Sequence, residues 1–306
     1  MAKTSGRKGR IASRLATAAI AAALLATGAN AVAAENPAKS ANSAKAKTGA
    51  PASLRSGAAA SAVSQMALYG ISGDGTQYGY SPDGTGGLGG RQTLGFGFAD
   101  DRDITQVDND GDGGDSTGIW FRTPDGYLRY MPWGGSATTI GGGWNTYNHV
   151  WSVGNLGGAA AGDLLARDNS GTLYIYLNYG NGTLTSRYKV GGGWGQYTQI
   201  AGNGDLTGDG KPDIVARDGN GTLWLYKGTG NYKAPFESRI KIGGGWNTYN
   251  TLVSTGDVDG DGKTDLIARG NDGTLWRYSG TGDASAPFKP RVKIGTGGWN
   301  TYRQLF

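Results

Sequence analysis

Four aspartates crowd into nine residues near the carboxyl end of the chain, in the stretch DVDGDGKTD. They stand at positions 1, 3, 5 and 9 of a loop, and Gly262 stands at position 6. Ca²⁺ takes about six to eight oxygen ligands, and alternate side chains of a tight loop can all turn toward one ion. The glycine permits the sharp turn that brings in a backbone carbonyl at position 7. The predicted calcium ligands are Asp257, Asp259, Asp261, Lys263 and Asp265.

Three earlier stretches align with this loop, and two of them hold fewer acids. The nearest one has threonine at position 3, and its predicted ligands are Asp205, Thr207, Asp209, Lys211 and Asp213. An irregular earlier loop predicts a third site from Asp108, Asp110, Asp112 and Asp115. The loop from Asn155 to Asp163 keeps a single acid, so no metal is expected there.

Other interpretations of the acidic loops are an EF-hand, a catalytic acid pair and a metal-free turn. An EF-hand needs glutamate at position 12, where these loops have Ala216 and Ala268. Acids that recur at the same turn of a repeat do not resemble a single active site. An Asp/Gly turn held by its own side-chain hydrogen bonds remains the metal-free alternative.

An internal repeat of about fifty residues must position these loops. The motif GGWNTY or its variants recurs with tryptophans 50, 52 and 53 residues apart, at Trp144, Trp194, Trp246 and Trp299. Each unit then continues through short β-branched and aromatic runs separated by Gly, Asn and Asp. Such runs predict four antiparallel strands per unit, and tandem four-stranded units predict a β-propeller.

The predicted fold class is all-β, with residues 66–306 forming the propeller. Three regular units, one divergent unit at about 91–140 and one composite unit indicate five blades. The last blade is closed by strands from the N- and C-terminal ends of this domain, which removes exposed sheet edges. An open solenoid or a β-sandwich is the alternative.

The loops followed at once by DIVAR or DLIAR resemble the FG-GAP or VCBS repeats of integrin-α-like β-propellers, over about residues 91–306. That resemblance implies calcium at a blade hairpin in a secreted bacterial protein. The sequences GGWNTYRQLF and SPDG are similar, more loosely, to five-bladed lectins of the tachylectin type.

The first residues predict export. A basic start, an Ala-rich apolar run and small residues near position 34 are typical of a signal peptide over 1–34, and a retained membrane anchor is the alternative. Residues 35–65 read as a disordered Ala/Ser/Lys-rich spacer. Because nine of the 29 Lys and Arg and one of the 24 Asp and Glu precede residue 66, the remainder carries a net charge of −3. That balance disfavours nucleic acid as a partner.

The function predicted for this secreted, extracellular protein is binding, with a carbohydrate or cell-wall glycan as the ligand. Each Trp motif supplies a ring pair that could stack on a sugar or else pack between blades: Trp144 and Tyr147, Trp194 and Tyr197, Trp246 and Tyr249, Trp299 and Tyr302. A protein-binding or signalling platform is the alternative.

We expect no enzyme, because the chain has no Cys and one His, His149, although a secreted hydrolase is not excluded. Four arginines at equivalent places are expected to hydrogen-bond between blades: Arg122, Arg167, Arg217 and Arg269.

Overall fold

The computed structural model describes residues 63–111, 115–159 and 161–306. The predicted signal peptide, almost all of the predicted spacer and one predicted metal ligand, Asp112, lie outside the described residues. Ser64 and Gln65, which the sequence places in the spacer, contact the propeller. The N–H of Asp257 donates to the carbonyl of Ser64 at 2.7 Å, and Gln65 forms a β-bridge with Gly256.

Twenty strands in the described residues form five four-stranded antiparallel sheets, which confirms the predicted five-bladed, all-β propeller. They are β1 (Leu68–Ser72), β2 (Gln77–Tyr80), β3 (Gln92–Gly95), β4 (Arg102–Val107), β5 (Gly118–Arg122), β6 (Leu128–Pro132), β7 (Thr138–Gly141), β8 (Tyr147–Ser152), β9 (Leu164–Asp168), β10 (Leu173–Tyr176), β11 (Tyr188–Gly191), β12 (Tyr197–Ala201), β13 (Ile214–Asp218), β14 (Leu223–Tyr226), β15 (Ile240–Gly243), β16 (Tyr249–Gly256), β17 (Asp265–Gly270), β18 (Leu275–Tyr278), β19 (Val292–Gly295) and β20 (Tyr302–Leu305).

Strands from the two ends of the domain close the ring, as the composite unit predicts. Blade 1 contains β20 and β1–β3, and blades 2 to 5 contain β4–β7, β8–β11, β12–β15 and β16–β19. Strand β20 pairs with β1 in antiparallel register, with Gly70 opposite Leu305. This pairing satisfies main-chain groups that an open array would leave at an edge.

A short 3₁₀ turn precedes the first strand of four blades, at Trp144–Thr146, Trp194–Gln196, Trp246–Thr248 and Trp299–Thr301. The residue before each turn is a glycine with φ between 79° and 87°. An L side chain at such a φ is disfavoured, so the second glycine of the GGW motif is needed to start the turn.

The tryptophan of each turn packs between two blades. Trp144, for example, belongs to an apolar cluster with Leu128 of blade 2 and Val150 of blade 3. Trp194 likewise packs with Leu173 of blade 3 and Ile214 of blade 4. The apolar core is therefore divided among the blade junctions, and four of the five junctions contain one such tryptophan ring.

Four arginines join adjacent blades, as their repeated position predicts. Arg122 donates from Nη1 to the carbonyl oxygens of Trp144, at 3.0 Å, and of Tyr147. Arg269 does the same to Trp299, at 3.0 Å, and to Tyr302. The other two arginines make equivalent pairs of bonds: Arg167 and Arg217. A charged donor that bonds two carbonyls is among the stronger hydrogen bonds available to the fold.

Candidate functional site

The loop between β16 and β17 brings together three carboxylates that could hold a cation. Oxygens of Asp257, Asp259 and Asp265 all lie within 4.8 Å of one another. Asp259 Oδ1 is buried and has no hydrogen-bond partner among the described residues. A buried anionic oxygen without a partner is costly, and a cation would remove that cost. An all-carboxylate donor set is of the hard oxygen type that Ca²⁺ prefers, so the residues fit this ion.

The backbone of this loop is organised around Asp257. Its Oδ1 accepts from the N–H of Gly260 at 2.7 Å, and its Oδ2 accepts from the N–H of Gly262 at 2.8 Å. Gly262 has a φ of 80°, which confirms the sharp turn predicted at position 6. The loop is thus shaped by its first aspartate before any ion is considered.

Two cations reach into the same loop and partly neutralise it. Arg277 Nη2 lies 3.0 Å from Asp259 Oδ2, and Lys289 Nζ lies 2.8 Å from Asp261 Oδ2. Asp261 is turned toward Lys289 and does not belong to the three-carboxylate group, and its role as a calcium ligand stays a prediction. The N–H of Lys263 donates to Asp261 Oδ1 at 3.1 Å, which completes a local turn.

The loop between β12 and β13 does not assemble an equivalent group among the described residues. Asp205 accepts from the N–H groups of Gly208 and Gly210, both at 2.7 Å, as Asp257 does in its own loop. Asp209 Oδ2 lies 3.3 Å from Lys227 Nζ, so this carboxylate forms an ion pair with the lysine. The remaining predicted ligands serve the turn: Thr207 N–H donates to Asp205 and Asp213, and Lys211 N–H donates to Asp209.

The loop between β4 and β5 is described in part, because Asp112 lies outside the described residues. Asp108 Oδ1 accepts from the N–H of Asp110 at 3.2 Å and from that of Gly111 at 2.8 Å. Asp115 is exposed. The predicted third site therefore keeps the turn formed by its first aspartate, and its metal binding stays a prediction.

The ninth-position aspartate has the same structural role in three blades. Asp163, Asp213 and Asp265 are fully buried. Each carboxylate accepts one hydrogen bond from a backbone N–H near the start of its own loop. It accepts another from a backbone N–H that follows the third strand of the blade. Asp265, for instance, accepts from Val258 N–H at 3.0 Å and from Gly280 N–H at 2.8 Å. Asp163 accepts in the same way from Gly157 N–H, at 2.6 Å. We name these three residues the anchor aspartates.

Burial raises the pKa of the anchor aspartates, since it disfavours the charged carboxylate. The pKa of Asp163 rises to about 7, and those of Asp213 and Asp265 rise to about 6. In each case the amide hydrogen bonds act in the opposite direction. The loop of Asp163 lacks acids at positions 3 and 5, yet Asp163 still accepts hydrogen bonds from amides of this loop and of the chain after the third strand. An anchor aspartate therefore stabilises its loop without the other carboxylates of a metal site.

The rings of the Trp motifs are buried, which corrects their assignment as open faces for a sugar. The four tryptophans are 4–8% exposed and the four tyrosines 1–4%. They are Trp144, Tyr147, Trp194, Tyr197, Trp246, Tyr249, Trp299 and Tyr302. Their faces pack on neighbouring rings, as Trp246 does on Tyr278 with centroids 4.8 Å apart. The inter-blade alternative is therefore the one that the structure supports.

Two pockets nevertheless open beside these aromatic side chains, at equivalent positions in two blade junctions of the propeller. A cavity of about 580 Å³ between blades 4 and 5 is lined by Trp246, Tyr249, Tyr278 and Phe288, among others. A cavity of about 430 Å³ between blades 3 and 4 is lined by the equivalent residues: Trp194, Tyr197, Tyr226 and Phe236. We name them the inter-blade pockets. Their sizes lie in the range of small-ligand sites, roughly 300–1,000 Å³.

A hairpin between the third and fourth strands forms one wall of each inter-blade pocket. The sequence Ala-Pro-Phe recurs there, ending at Phe236 and Phe288, and each phenylalanine forms a β-bridge with the start of its hairpin. Leu88 and Leu184 make the corresponding bridges in blades 1 and 3. The repeated Ala-Pro-Phe could have revealed this wall from the sequence, but it falls in a turn region outside the Trp motif.

An arginine immediately before the fourth strand of the blade adds a polar group beside each pocket. Arg291 Cζ lies 4.1 Å from the centroid of the Trp276 ring, and Nη1 donates to Tyr249 OH. Arg239 repeats this arrangement over Trp224, at 3.9 Å, and donates to Tyr197 OH. Each pocket therefore combines apolar rings with a tyrosine hydroxyl that an arginine bonds, and Arg291 also lines the pocket between blades 4 and 5.

Comparison with known proteins identifies the repeat. The model of the FG-GAP-like repeat matches residues 161–216 and 205–268, so the chain carries FG-GAP-like repeats there and the predicted resemblance is confirmed. None of the curated proteins matches the chain.

Solved structures give distant similarities. AofleA from Arthrobotrys oligospora is 9% identical over 76% of this chain and 68% of its own, with a TM-score of 0.42. An Agrocybe aegerita lectin that recognises non-reducing terminal N-acetylglucosamine is 18% identical over 75% and 64%, with a TM-score of 0.41. The calcium-binding protein regucalcin from Agrobacterium tumefaciens is 12% identical over 76% and 75%, with a TM-score of 0.40. Similarities at this level carry no information about ligand or activity.

In the described part of the chain, no helix has both the length and the apolar character needed to cross a membrane.

Proposed function

We propose that this propeller with FG-GAP-like repeats is a secreted, calcium-stabilised binding module for carbohydrate, and that sugar is held in the inter-blade pockets. The observation that carries the proposal is the recurrence of one pocket at two junctions, with the same ring pair and Ala-Pro-Phe wall, and with an arginine bonded to the lining tyrosine at each. The module has no catalytic function in this proposal.

The chemistry of the pockets suits a sugar ring. A pyranose offers an apolar face of C–H groups and a rim of hydroxyls. In the pocket between blades 4 and 5, Phe288 and Pro287 supply the apolar wall, while Thr248, Ser285 and Arg291 supply polar groups. Repeated weak sites on one chain suit a polymeric glycan, because several sites can engage one polymer and raise the avidity.

Calcium has a structural role in this proposal. An ion held by Asp257, Asp259 and Asp265 would tie the loop before β17 to the head of that strand. The ion would offset the repulsion among three carboxylates within 4.8 Å of one another. Extracellular modules bind calcium with dissociation constants on the order of 10⁻⁴–10⁻³ M, which suffices where calcium is millimolar.

Retention on insoluble polysaccharides and a glycan array test the proposed function. We expect the protein to bind, and Phe236→Ser and Phe288→Ser together to weaken the binding at least about tenfold, since they remove the apolar wall of both pockets. Phe96→Ser is the matched control, because Phe96 is 61% exposed and lines neither pocket. Lack of retention by the wild type, or equal retention by the double variant, would overturn the proposal.

Secretion is tested separately. We expect the protein produced in a bacterial host to appear outside the cytoplasm with its N-terminus near residue 35, as determined by mass spectrometry. A cytoplasmic product that keeps residues 1–34 would contradict the proposed localisation.

A further inference from the structure

One wall of the pocket between blades 4 and 5 is continuous with the loop from Asp257 to Asp265. The wall is formed by the hairpin between β18 and β19, whose residues 285–291 line the pocket. The base of the same hairpin, at Ser279 and Gly280, is hydrogen-bonded to the acidic loop. The candidate ion site and the candidate sugar pocket of this blade therefore share one structural element.

Two carboxylates of the three-acid group hold the base of this hairpin. Asp259 Oδ2 accepts from Ser279 Oγ at 2.8 Å, and Asp265 Oδ1 accepts from the N–H of Gly280 at 2.8 Å. Ser279 is 4% exposed and Asp265 is fully buried, so water competes little for either bond. Because Asp259 Oδ1 has no hydrogen-bond partner among the described residues, it could bind an ion while Oδ2 keeps its bond to Ser279.

The two strands of the hairpin connect its base to the pocket wall. The N–H of Lys289 donates to the carbonyl of Ser279 at 2.8 Å, and Gly280 forms a β-bridge with Phe288. Lys289 and Phe288 both line the pocket. The residues that contact the acidic loop thus pair directly with residues that face the candidate sugar site.

The pocket between blades 3 and 4 has the same hairpin but a different connection to its loop. The N–H of Gly228 donates to the anchor aspartate of blade 4 at 2.8 Å, so that contact is retained. Position 3 of this loop is Thr207 instead of an aspartate, and the residue equivalent to Ser279 is Lys227, which pairs with Asp209. Because the described residues of this loop form no three-carboxylate group, blade 4 provides an internal control.

We propose that calcium in the loop from Asp257 to Asp265 regulates the pocket between blades 4 and 5, and that it strengthens sugar binding there and not in the pocket between blades 3 and 4. Three carboxylates within 4.8 Å of one another repel, so the loop without an ion holds the hairpin less firmly. An ion fixes Asp259 and Asp265, and with them the wall. A wall that is already ordered costs less to immobilise when sugar binds. The identity of the ligand as sugar rests on the proposed function.

Hydrogen exchange in the presence of calcium alone tests this coupling without a sugar. We expect saturating calcium to slow exchange of the N–H groups of Thr281 and Lys289, which bond across the hairpin, at least about fivefold relative to EDTA. The equivalent N–H groups of Thr229 and Glu237 in blade 4 should exchange at unchanged rates. Equal exchange with and without calcium in blade 5, or equal slowing in both blades, would overturn the coupling.

A matched pair of variants tests the contact that carries the effect. Ser279→Ala removes the bond to Asp259, so the slowing by calcium should fall below about twofold while calcium still raises the melting temperature. Ser170→Ala is the control, because it removes a hydroxyl bond to Asp168, at 2.6 Å, in another blade. This control should keep the full slowing. An unchanged calcium effect in Ser279→Ala would overturn the role assigned to its hydroxyl.

Single-pocket variants extend the test to sugar. Phe236→Ser leaves the pocket between blades 4 and 5 intact, and Phe288→Ser leaves the pocket between blades 3 and 4 intact. In depletion assays with insoluble chitin and cellulose, calcium should tighten binding by Phe236→Ser at least about fivefold relative to EDTA and should not change binding by Phe288→Ser. Calcium-independent binding by Phe236→Ser would overturn the regulation. Failure of the wild type to bind any glycan would overturn the proposed function alone, since hydrogen exchange measures the coupling separately.

Discussion

The loop from Asp257 to Asp265 and the loop from Asn155 to Asp163 occupy the same place in blades 5 and 3, yet they differ in charge. The first has four aspartates and the second has one. Both place a buried anchor aspartate at position 9, and both bond that carboxylate to amides of the loop and of the chain after the third strand. The shared element is therefore the anchor, and the variable element is the cluster of acids.

The comparison separates two tasks that the acidic motif combines. Asp163 holds the hairpin in place through amide hydrogen bonds alone, so the fold does not need a metal at that position. Asp257 and Asp259 add a group that could bind an ion, at the cost of like charges within 4.8 Å of one another. Arg277 and Lys289 reduce that cost in the last blade.

Loss of an anchor aspartate should have the largest effect on the stability of the protein. We expect Asp163→Ala and Asp265→Ala each to lower the free energy of unfolding by about 3 kcal/mol in EDTA, because both leave buried amides without an acceptor. Urea denaturation measures this change. Asp283→Ala, in an exposed turn, is the control and should leave the midpoint unchanged. A near-neutral Asp163→Ala would show that the anchor is not shared.

The raised pKa of Asp163 predicts a pH dependence in the acid-poor loop. Its native pKa of about 7 exceeds the usual value, so the folded state retains a proton that the unfolded state loses. The stabilisation is full below about pH 4 and is lost as the pH rises through 7, at about 1.4 kcal/mol per pH unit between these limits. From pH 5 to 7 the wild type should lose about 2 kcal/mol relative to Asp163→Asn. Parallel urea titrations of both proteins measure the difference, and identical pH profiles would contradict it.

Calcium should stabilise the protein through the loop from Asp257 to Asp265 and not through the equivalent loop of blade 4. At ten to a hundred times its dissociation constant, calcium should stabilise the wild type by about 1–3 kcal/mol relative to EDTA. We expect Asp259→Asn to abolish this increment, because it removes a carboxylate of the three-acid group. Asp209→Asn should leave the increment unchanged, since its loop does not assemble such a group. Thermal unfolding with and without calcium measures both, and loss of the increment in Asp209→Asn would place a second ion in blade 4.

Removal of a competing cation should have the smallest effect. Lys289→Met frees Asp261 from its ion pair and should raise the affinity for calcium by a few fold, as exposed ion pairs are weak. Lys227→Met, which releases Asp209 in the neighbouring blade, is the matched control and should not change that affinity. Isothermal titration measures the constants, and weaker binding by Lys289→Met would show that the lysine does not compete.

Much of the fold could be predicted because the same pattern of strands and turns recurs in several units of the sequence. The spacing of Trp144, Trp194, Trp246 and Trp299 indicated the units, and the partial units at the two ends indicated the closure between β1 and β20. The inter-blade arginines followed from their repeated position. These features recur in the sequence because each blade packs against its neighbours through the same kind of interface.

Side-chain direction could not be predicted in the same way. Asp261 has the spacing of a ligand, but it is turned toward Lys289, which is distant in sequence. The rings of the Trp motifs read equally well as exposed platforms or as core, and burial between blades decided the matter. The inter-blade walls depend on Phe236 and Phe288, whose place beside those rings arises only when adjacent blades pack.

The sequence by itself determined the strands, the turns and the acidic spacing, because these depend on neighbours a few residues away along the chain. Glycine at a turn and alternating acids in a short loop act locally. Only the tertiary structure decided which carboxylates meet, which rings are covered, and that Arg102, Asp103 and His149 line one cavity at the centre of the propeller. Those outcomes depend on burial and charge contributed by different blades, and no single stretch of the chain contains that information.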